Sequence, residues 1–143
     1  MLYTPMTKKA MQLSFDAHKE QKDSSGLPYI YHPFHLAEQM DTESSVCAAL
    51  LHDVVEDSDI TLEDLRASGF TEEIVEAVEL LTHQQGVPYL EYIERLRQSP
   101  LATKVKLADL RHNADLSRMD IIDSTAREQE ELHQQAIELL TRK

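Results

Sequence analysis

Apolar residues recur along this chain at intervals of three and four positions, which is the period of an α-helix. The first such segment covers residues 5–23 and begins with Thr4-Pro5, a typical N-cap followed by proline at the first helical position. The pattern next predicts a short helix over residues 33–40 and a longer one over residues 42–55. Alternating, strand-like patterns are nearly absent, so the sequence predicts an all-α fold.

The second half of the chain predicts five more helices, which begin near Thr61, Thr71, Pro88, Pro100 and Thr125. Thr61 with Asp64 three residues later resembles a capping box. The last two helices extend to about residues 116 and 141. No repeat or linker interrupts the pattern, and a length of 143 residues is typical of one domain, here residues 1–143.

The charge balance narrows the possible partners. The chain has 14 Lys and Arg against 26 Asp and Glu, a formal net charge of -12. Nucleic acid is not an expected partner, because phosphate contacts need clustered cations. A phosphorylated small substrate would also be repelled unless a metal ion and local basic residues reverse the field at its site.

Cysteine content and apolar runs bear on the location of the protein. The lone Cys47 can form no internal disulfide, and the N-terminus has no secretion pattern, so a cytoplasmic location is expected. The longest apolar run has six residues, against about 20 needed to span a bilayer. We therefore expect no membrane partner.

The pair His52-Asp53 directly follows the apolar run over residues 46–51. Burying an unpaired polar group costs roughly 2–7 kcal/mol, and a divalent cation would remove that cost. Glu56 and Asp57 each lie four residues after one member of the pair. A helix continuing through this segment would place both acids above the pair, where a carboxylate can act as general acid or base. The alternative is a helix C-terminus with exposed acids, which the helix dipole disfavours.

His32 is a second candidate, because Pro33 follows it and biases its backbone toward an extended conformation at a helix entrance. From there the ring can point into a cleft. His35 lies one helical turn later and is either a partner of a metal ligand or a surface residue. We favour a surface position for His35.

A third block places Lys106, Asp109 and Asn113 on one face of an apolar helix, at i, i+3 and i+7. Placing an acid, a base and an amide on one apolar helix face costs free energy that packing alone would not require. The alternative is that Lys106 and Asp109 simply form an internal ion pair.

These blocks in this order resemble the HD phosphohydrolase superfamily. Their neighbours resemble, more narrowly, the hydrolase domain of the RelA/SpoT alarmone enzymes and their stand-alone small hydrolases. The resemblance runs from about residue 17 to 116. Its matching blocks are Pro28-Tyr29-Ile30 before His32-Pro33, His52-Asp53 with Glu56-Asp57, and Lys106-Leu107-Ala108-Asp109 with His112-Asn113.

The resemblance implies an all-helical HD-domain bundle that binds one divalent metal ion, usually Mn²⁺, with Fe²⁺ or Zn²⁺ as alternatives. The implied metal ligands are His32, His52, Asp53 and Asp109. Glu56 and Asp57 match the family's catalytic acid pair, and Asn113 matches a position that contacts substrate. The family reaction removes pyrophosphate from the 3′ position of guanosine tetra- or pentaphosphate.

Two departures remove positive charge from where a polyphosphate would lie. Alarmone hydrolases usually carry an Arg-Lys pair where this chain has Asp23-Ser24, and an Asp-Lys pair where it has His83-Gln84. The cations that remain to offset substrate charge are Lys22, Lys106 and Arg111. The metal chemistry is therefore better supported than the guanine alarmone as substrate.

Two other functions stay open at this point. One is an HD-fold phosphatase or nucleotidase acting on another small phosphoester. The other is a non-catalytic nucleotide-binding module. The Glu56-Asp57 pair argues against the module, because binding alone needs no acid for proton transfer.

Overall fold

The computed structural model describes residues 1–23, 26–116 and 124–142. Within these ranges the chain forms nine α-helices, no β-strand, and an isolated β-bridge between Lys22 and Pro28. The predicted all-α fold is confirmed. The helices are α1 (Pro5–His18), α2 (Tyr31–Glu38), α3 (Glu43–Leu51), α4 (Val54–Asp57), α5 (Leu62–Ala67), α6 (Glu72–Leu81), α7 (Tyr89–Leu96), α8 (Pro100–Leu116) and α9 (Ser124–Thr141).

Helix α3 lies at the centre of the bundle. Residues 46–51 are completely buried, because α1, α2, α6 and α8 pack around this helix on all sides. A helix that is apolar on every face is stable only in such surroundings. Helices α7 and α9 pack on each other, and α9 also contacts α8. None of the described helices combines the length and apolarity needed to cross a membrane.

Side-chain caps fix where several helices begin. Thr4 accepts a hydrogen bond from the N–H of Thr7, and Pro5 follows at the first helical position, as predicted. The capping box of Thr61 and Asp64 is also confirmed. Each cap satisfies N–H groups that have no partner inside the helix.

Helix α1 ends at His18, so the prediction that it reaches residue 23 was wrong. The chain turns because Gln21 N–H donates to the His18 carbonyl, 2.9 Å away. The Asp23 N–H then donates to the Leu27 carbonyl at 2.8 Å, and the Leu27 N–H donates to Asp23 Oδ1 at 3.0 Å, which closes a turn. This turn brings Tyr29 back beside Gln21, whose carbonyl accepts its N–H at 2.9 Å.

Helix α2 begins at Tyr31 and ends at Glu38, rather than covering residues 33–40. His32 is therefore helical, and the prediction of an extended backbone at this residue was wrong. Pro33 is tolerated at the third helical position because N–H groups in the first turn have no partner within the helix. His32 nevertheless lies at a helix entrance, as expected.

The helix predicted over residues 42–55 is broken into α3 and α4. His52 ends α3, and Asp53 has φ -109° and ψ 1°, in the sparsely populated bridge region. Nδ1 of His52 donates to the Ala49 carbonyl at 2.6 Å. A continuous helix would bond this carbonyl to the Asp53 N–H instead. The His52 ring thus takes the Ala49 carbonyl at the point where the helix breaks.

Candidate metal centre

Three buried side chains from separate helices meet at one point. His32 lies at the start of α2, His52 at the end of α3, and Asp109 in the middle of α8. One donor atom from each lies within 4.8 Å of the other two. This is the only group of at least three His, Cys, Asp or Glu side chains with such spacing in the described part of the chain.

His32 bridges Asp109 and His112. Its Nε2 lies 2.7 Å from Asp109 Oδ1, and its Nδ1 lies 2.6 Å from His112 Nδ1. Burial opposes ionisation of Asp109, but Lys106 and the two histidines His32 and His52 hold the pKa of this carboxyl well below its usual value. The ionised carboxylate only accepts, so Nε2 of His32 carries the proton in this contact. A metal ion binding at Nε2 would take the place of that proton.

His52 gives the strongest indication that the centre fits a cation. Its Nδ1 carries a proton, because it donates to a carbonyl. Nε2 is buried without a hydrogen bond, yet it lies 2.9 Å from Asp53 Oδ2 and 3.7 Å from Asp109 Oδ1. Burial lowers the pKa of His52, but the two carboxylates raise it well above the ordinary value. The lone pair and the carboxylates thus need a shared cation, either a proton or a metal ion.

Asp53 stands at the break between α3 and α4 and is largely buried. Its carboxylate accepts a hydrogen bond from the hydroxyl of Tyr29. Burial opposes ionisation, but His52 and the Tyr29 hydroxyl lower the pKa of Asp53. Asp53 is not a member of the three-residue group, although it lies beside His52 in the same centre.

Lys106, Asp109 and Asn113 share one face of α8, as their spacing predicts. Lys106 Nζ lies 3.0 Å from Asp109 Oδ2, so the internal ion pair does form. Asn113 Nδ2 donates to Asp109 Oδ1 at 3.2 Å. The ammonium of Lys106 also lies over the rings of Tyr92 and Tyr89, at 5.3 and 5.9 Å from their centroids. Lys106 is therefore bound within the centre by both an acid and aromatic faces.

Glu56 and Asp57 lie on the single turn of α4 and are exposed. Oε1 of Glu56 accepts the backbone N–H of His83 at 2.7 Å. Partial burial and the charges of Asp53 and Glu56 raise the pKa of Asp57 to about 6. The side-chain amide of Gln21 donates to the Asp57 carbonyl at 2.9 Å, which joins α4 to the end of α1.

A cavity of about 420 Å³ lies beside the centre. His35 is exposed, as expected, and its ring stacks on His112 with centroids 4.1 Å apart. Lys22 and Arg111 are also exposed. No Lys or Arg occurs among the described residues that line the cavity, which are Asp23, Leu27, Tyr31, His32, Phe34, His35, Glu38 and His112.

Two contacts with the centre were not predicted. Tyr29 bonds to Asp53, and His112 bonds to His32. Both residues lie inside the blocks that carry the family resemblance, which is the signal that could have found them. Spacing along the chain does not show which side chains in a block face the centre.

Comparison with protein families decides what this arrangement of helices and donors represents. The family model described as HD domain matches residues 10–141. The chain belongs to the HD domain family. The family predicted from the three sequence blocks is thereby confirmed.

Relatives in this family have described activities. The mouse guanosine-3′,5′-bis(diphosphate) 3′-pyrophosphohydrolase MESH1 is 39% identical over 123 residues, covering 73% of this chain and 66% of the mouse protein. The guanosine-3′,5′-bis(diphosphate) 3′-pyrophosphohydrolase of Aquifex aeolicus is 38% identical over 101 residues, covering 66% of this chain and 14% of that protein. The chain thus spans just under two thirds of the mouse relative and a small part of the bacterial one.

A solved structure has the same fold. It belongs to a metazoan ortholog of SpoT that hydrolyses ppGpp. The TM-score is 0.82 at 24% sequence identity, and the match covers 99% of this chain and 89% of the other. At this identity the match shows that the HD helical bundle is shared.

Proposed function

We propose that this protein is a metal-dependent phosphohydrolase that removes pyrophosphate from the 3′ position of guanosine tetra- or pentaphosphate. The observation that carries the proposal is the buried His52 Nε2, which has no hydrogen bond and faces two carboxylates. Such a site suits a divalent cation. The names of the mouse and Aquifex aeolicus relatives support the alarmone as substrate.

The proposed ligands are His32, His52, Asp53 and Asp109, which would hold one divalent ion. Two imidazoles and two carboxylates suit Mn²⁺ or Fe²⁺, and Zn²⁺ also binds such sets. When bound, the ion supplies positive charge that polarises a phosphoryl oxygen and makes water more acidic. The proximity of three of these side chains supports the ligand set.

Glu56 and Asp57 would handle the proton. In the proposed reaction, the oxygen of water bonds to the phosphorus attached to the ribose 3′ oxygen, and the bond between that phosphorus and the 3′ oxygen breaks. Glu56 would take the proton from water and return it to the departing 3′ oxygen. The hydrogen bond from the His83 N–H fixes one oxygen of Glu56. Asp57 would orient the water or the leaving group.

Substrate charge must be offset in a protein with a net charge of -12. We propose that Lys22 and Arg111, both exposed, contact phosphate groups, and that Asn113 contacts the nucleotide. Lys106 would act at shorter range, because its ammonium is bound to Asp109 within the centre. The partner is a small nucleotide, neither nucleic acid nor membrane, and residues 1–143 form one domain.

The test is product analysis with purified, manganese-loaded protein and guanosine tetraphosphate. We expect equimolar GDP and pyrophosphate. Glu56→Gln should keep the metal and lower turnover by about 10²-fold or more, because it removes the proton acceptor. A matched control is Glu63→Gln, which changes an exposed acid on α5.

One observation favours the alternative of a phosphatase on a less charged phosphoester. The cavity beside the centre contains Asp23 and Glu38 among its lining residues, which repel phosphate groups. Release of orthophosphate from a nucleoside monophosphate, without cleavage of the alarmone, would favour this alternative. Binding of nucleotide without any product would favour the non-catalytic module.

A further inference from the structure

We propose that Tyr29 is a positioning residue that directs the carboxylate of Asp53 toward the metal centre. The proposal rests on the metal site in the proposed function, but not on the identity of the substrate. The evidence is the hydrogen bond from the Tyr29 hydroxyl to Asp53 Oδ2, on the oxygen that lies 2.9 Å from His52 Nε2.

Asp53 needs such a partner because of where it stands. It is the N-cap residue of α4, a position where an aspartate usually turns its side chain back to accept the N–H of the second or third helical residue. Here the Asp53 side chain makes no capping hydrogen bond. The Tyr29 hydroxyl offers a competing donor, and the carboxylate faces His52 instead.

Tyr29 is itself held firmly. Its N–H donates to the Gln21 carbonyl at 2.9 Å, which fixes the backbone. Its ring packs against those of His18 and His32, with centroids 4.9 and 5.6 Å apart. The carboxylate of Asp53 can only accept, so the Tyr29 hydroxyl is the donor in their hydrogen bond.

The hydroxyl leaves Asp53 able to bind a cation. A carboxylate has about four lone-pair sites, and the Tyr29 hydroxyl takes one of them. Without the hydroxyl, Asp53 would lose the donor that competes with the N–H groups at the start of α4, and His52 alone would hold its side chain. Hydrogen-bond partners of metal ligands typically change metal affinity by about 10- to 100-fold.

The first experiment is a calorimetric titration of metal-free protein with Mn²⁺. Tyr29→Phe keeps the ring and removes only the hydroxyl, and we expect the Kd to rise about 10-fold or more. Tyr31→Phe is the matched control, since Tyr31 lies two residues away and is 61% exposed. Its Kd should stay within twofold of the unchanged protein. A Kd within twofold for Tyr29→Phe would overturn the proposal.

A double-mutant cycle separates positioning from a general loss of stability. If Tyr29 acts through Asp53, Tyr29→Phe should have little further effect on the Kd in an Asp53→Asn background. Equal losses in both backgrounds would show that the effect does not pass through Asp53 and would overturn the proposal. Both measurements omit nucleotide, so a wrong substrate in the proposed function would leave their outcome unchanged.

Discussion

At the scale of single residues, Asp109 shows how a buried charge is kept in this protein. One oxygen contacts His32 and Asn113, and the other contacts Lys106. Burying an isolated carboxylate would cost several kcal/mol, so each partner is needed to keep Asp109 ionised. An ionised Asp109 is in turn what the proposed metal centre requires, because a protonated carboxyl is a poor ligand.

Replacing Lys106 with methionine should therefore destabilise the metal-free protein by about 3 kcal/mol, because it leaves Asp109 with an unbalanced buried charge. Urea unfolding in the presence of a chelator measures this. Lys104→Met is the matched control, because Lys104 lies on the same helix but pairs with the exposed Asp41. The control should change the free energy of unfolding little. Equal effects of the two substitutions would contradict the account.

At the scale of helices, the end of α1 supports the turn of α4 that carries Glu56 and Asp57. His18 is completely buried, and its Nδ1 lies 2.8 Å from Gln21 Oε1. Because that oxygen can only accept, His18 donates to it. The amide of Gln21 then donates to the Asp57 carbonyl. The position of α4 thus depends in part on the buried His18 ring, which holds the Gln21 side chain in place.

Acid should destabilise the folded chain, because it places a positive charge on the buried His18 ring. Burial lowers the pKa of His18 below 6.5, so between the two values the unfolded chain binds a proton that the folded chain does not. The contribution of His18 to stability is full above pH 6.5 and is lost as the pH falls below it. Between pH 7.5 and 5.5, the metal-free protein should lose more stability than a His18→Asn variant, as measured by urea unfolding. Equal losses would show that His18 does not titrate in this way.

At the scale of the whole molecule, the candidate metal centre joins helices that are far apart in sequence. Its donors come from α2, α3 and α8, and α3 packs against both of the others. An ion held there would bind the folded chain and not the unfolded one. It would also offset part of a net charge of -12, which by itself opposes compaction.

Mn²⁺ at 100 times its Kd should therefore raise the free energy of unfolding by about 2.7 kcal/mol. Thermal and urea unfolding with and without a chelator measure this. Mg²⁺ at the same concentration is the control. It prefers a near-ideal octahedron of oxygen ligands and should stabilise the protein less than an ion that accepts imidazole. Equal stability with and without Mn²⁺ would contradict a metal site in the folded chain.

Most helices could be predicted from the sequence, because their signals are local. A threonine cap, a proline in the first turn and an apolar stripe act within a few residues, as at Thr61 and Pro100. The break after His52 could not be predicted in this way. The composition of residues 46–51 favours a continuing helix, whereas in the fold the His52 ring bonds to the Ala49 carbonyl and the helix ends there.

The candidate site could also be predicted only in part, because only some of its features are local in the sequence. His52-Asp53 indicated a metal site, because imidazole and carboxylate groups are costly to place beside core sequence, and the family resemblance added His32 and Asp109 as expected ligands. Tyr29 faces Asp53 and His112 faces His32 because of how α1, α2 and α8 pack. No local sequence pattern encodes this packing.

The sequence by itself determined the helical fold, since helix signals depend on residue type and near-neighbour spacing, and its resemblance to known blocks indicated the family and the expected donor groups. Only the tertiary structure decided which donors meet, because their separation along the chain is bridged by the packing of α2, α3 and α8. It also decided that Lys106 is bound to Asp109 and that Asp53 faces Tyr29 and His52, since these contacts join residues whose directions are set by the whole bundle.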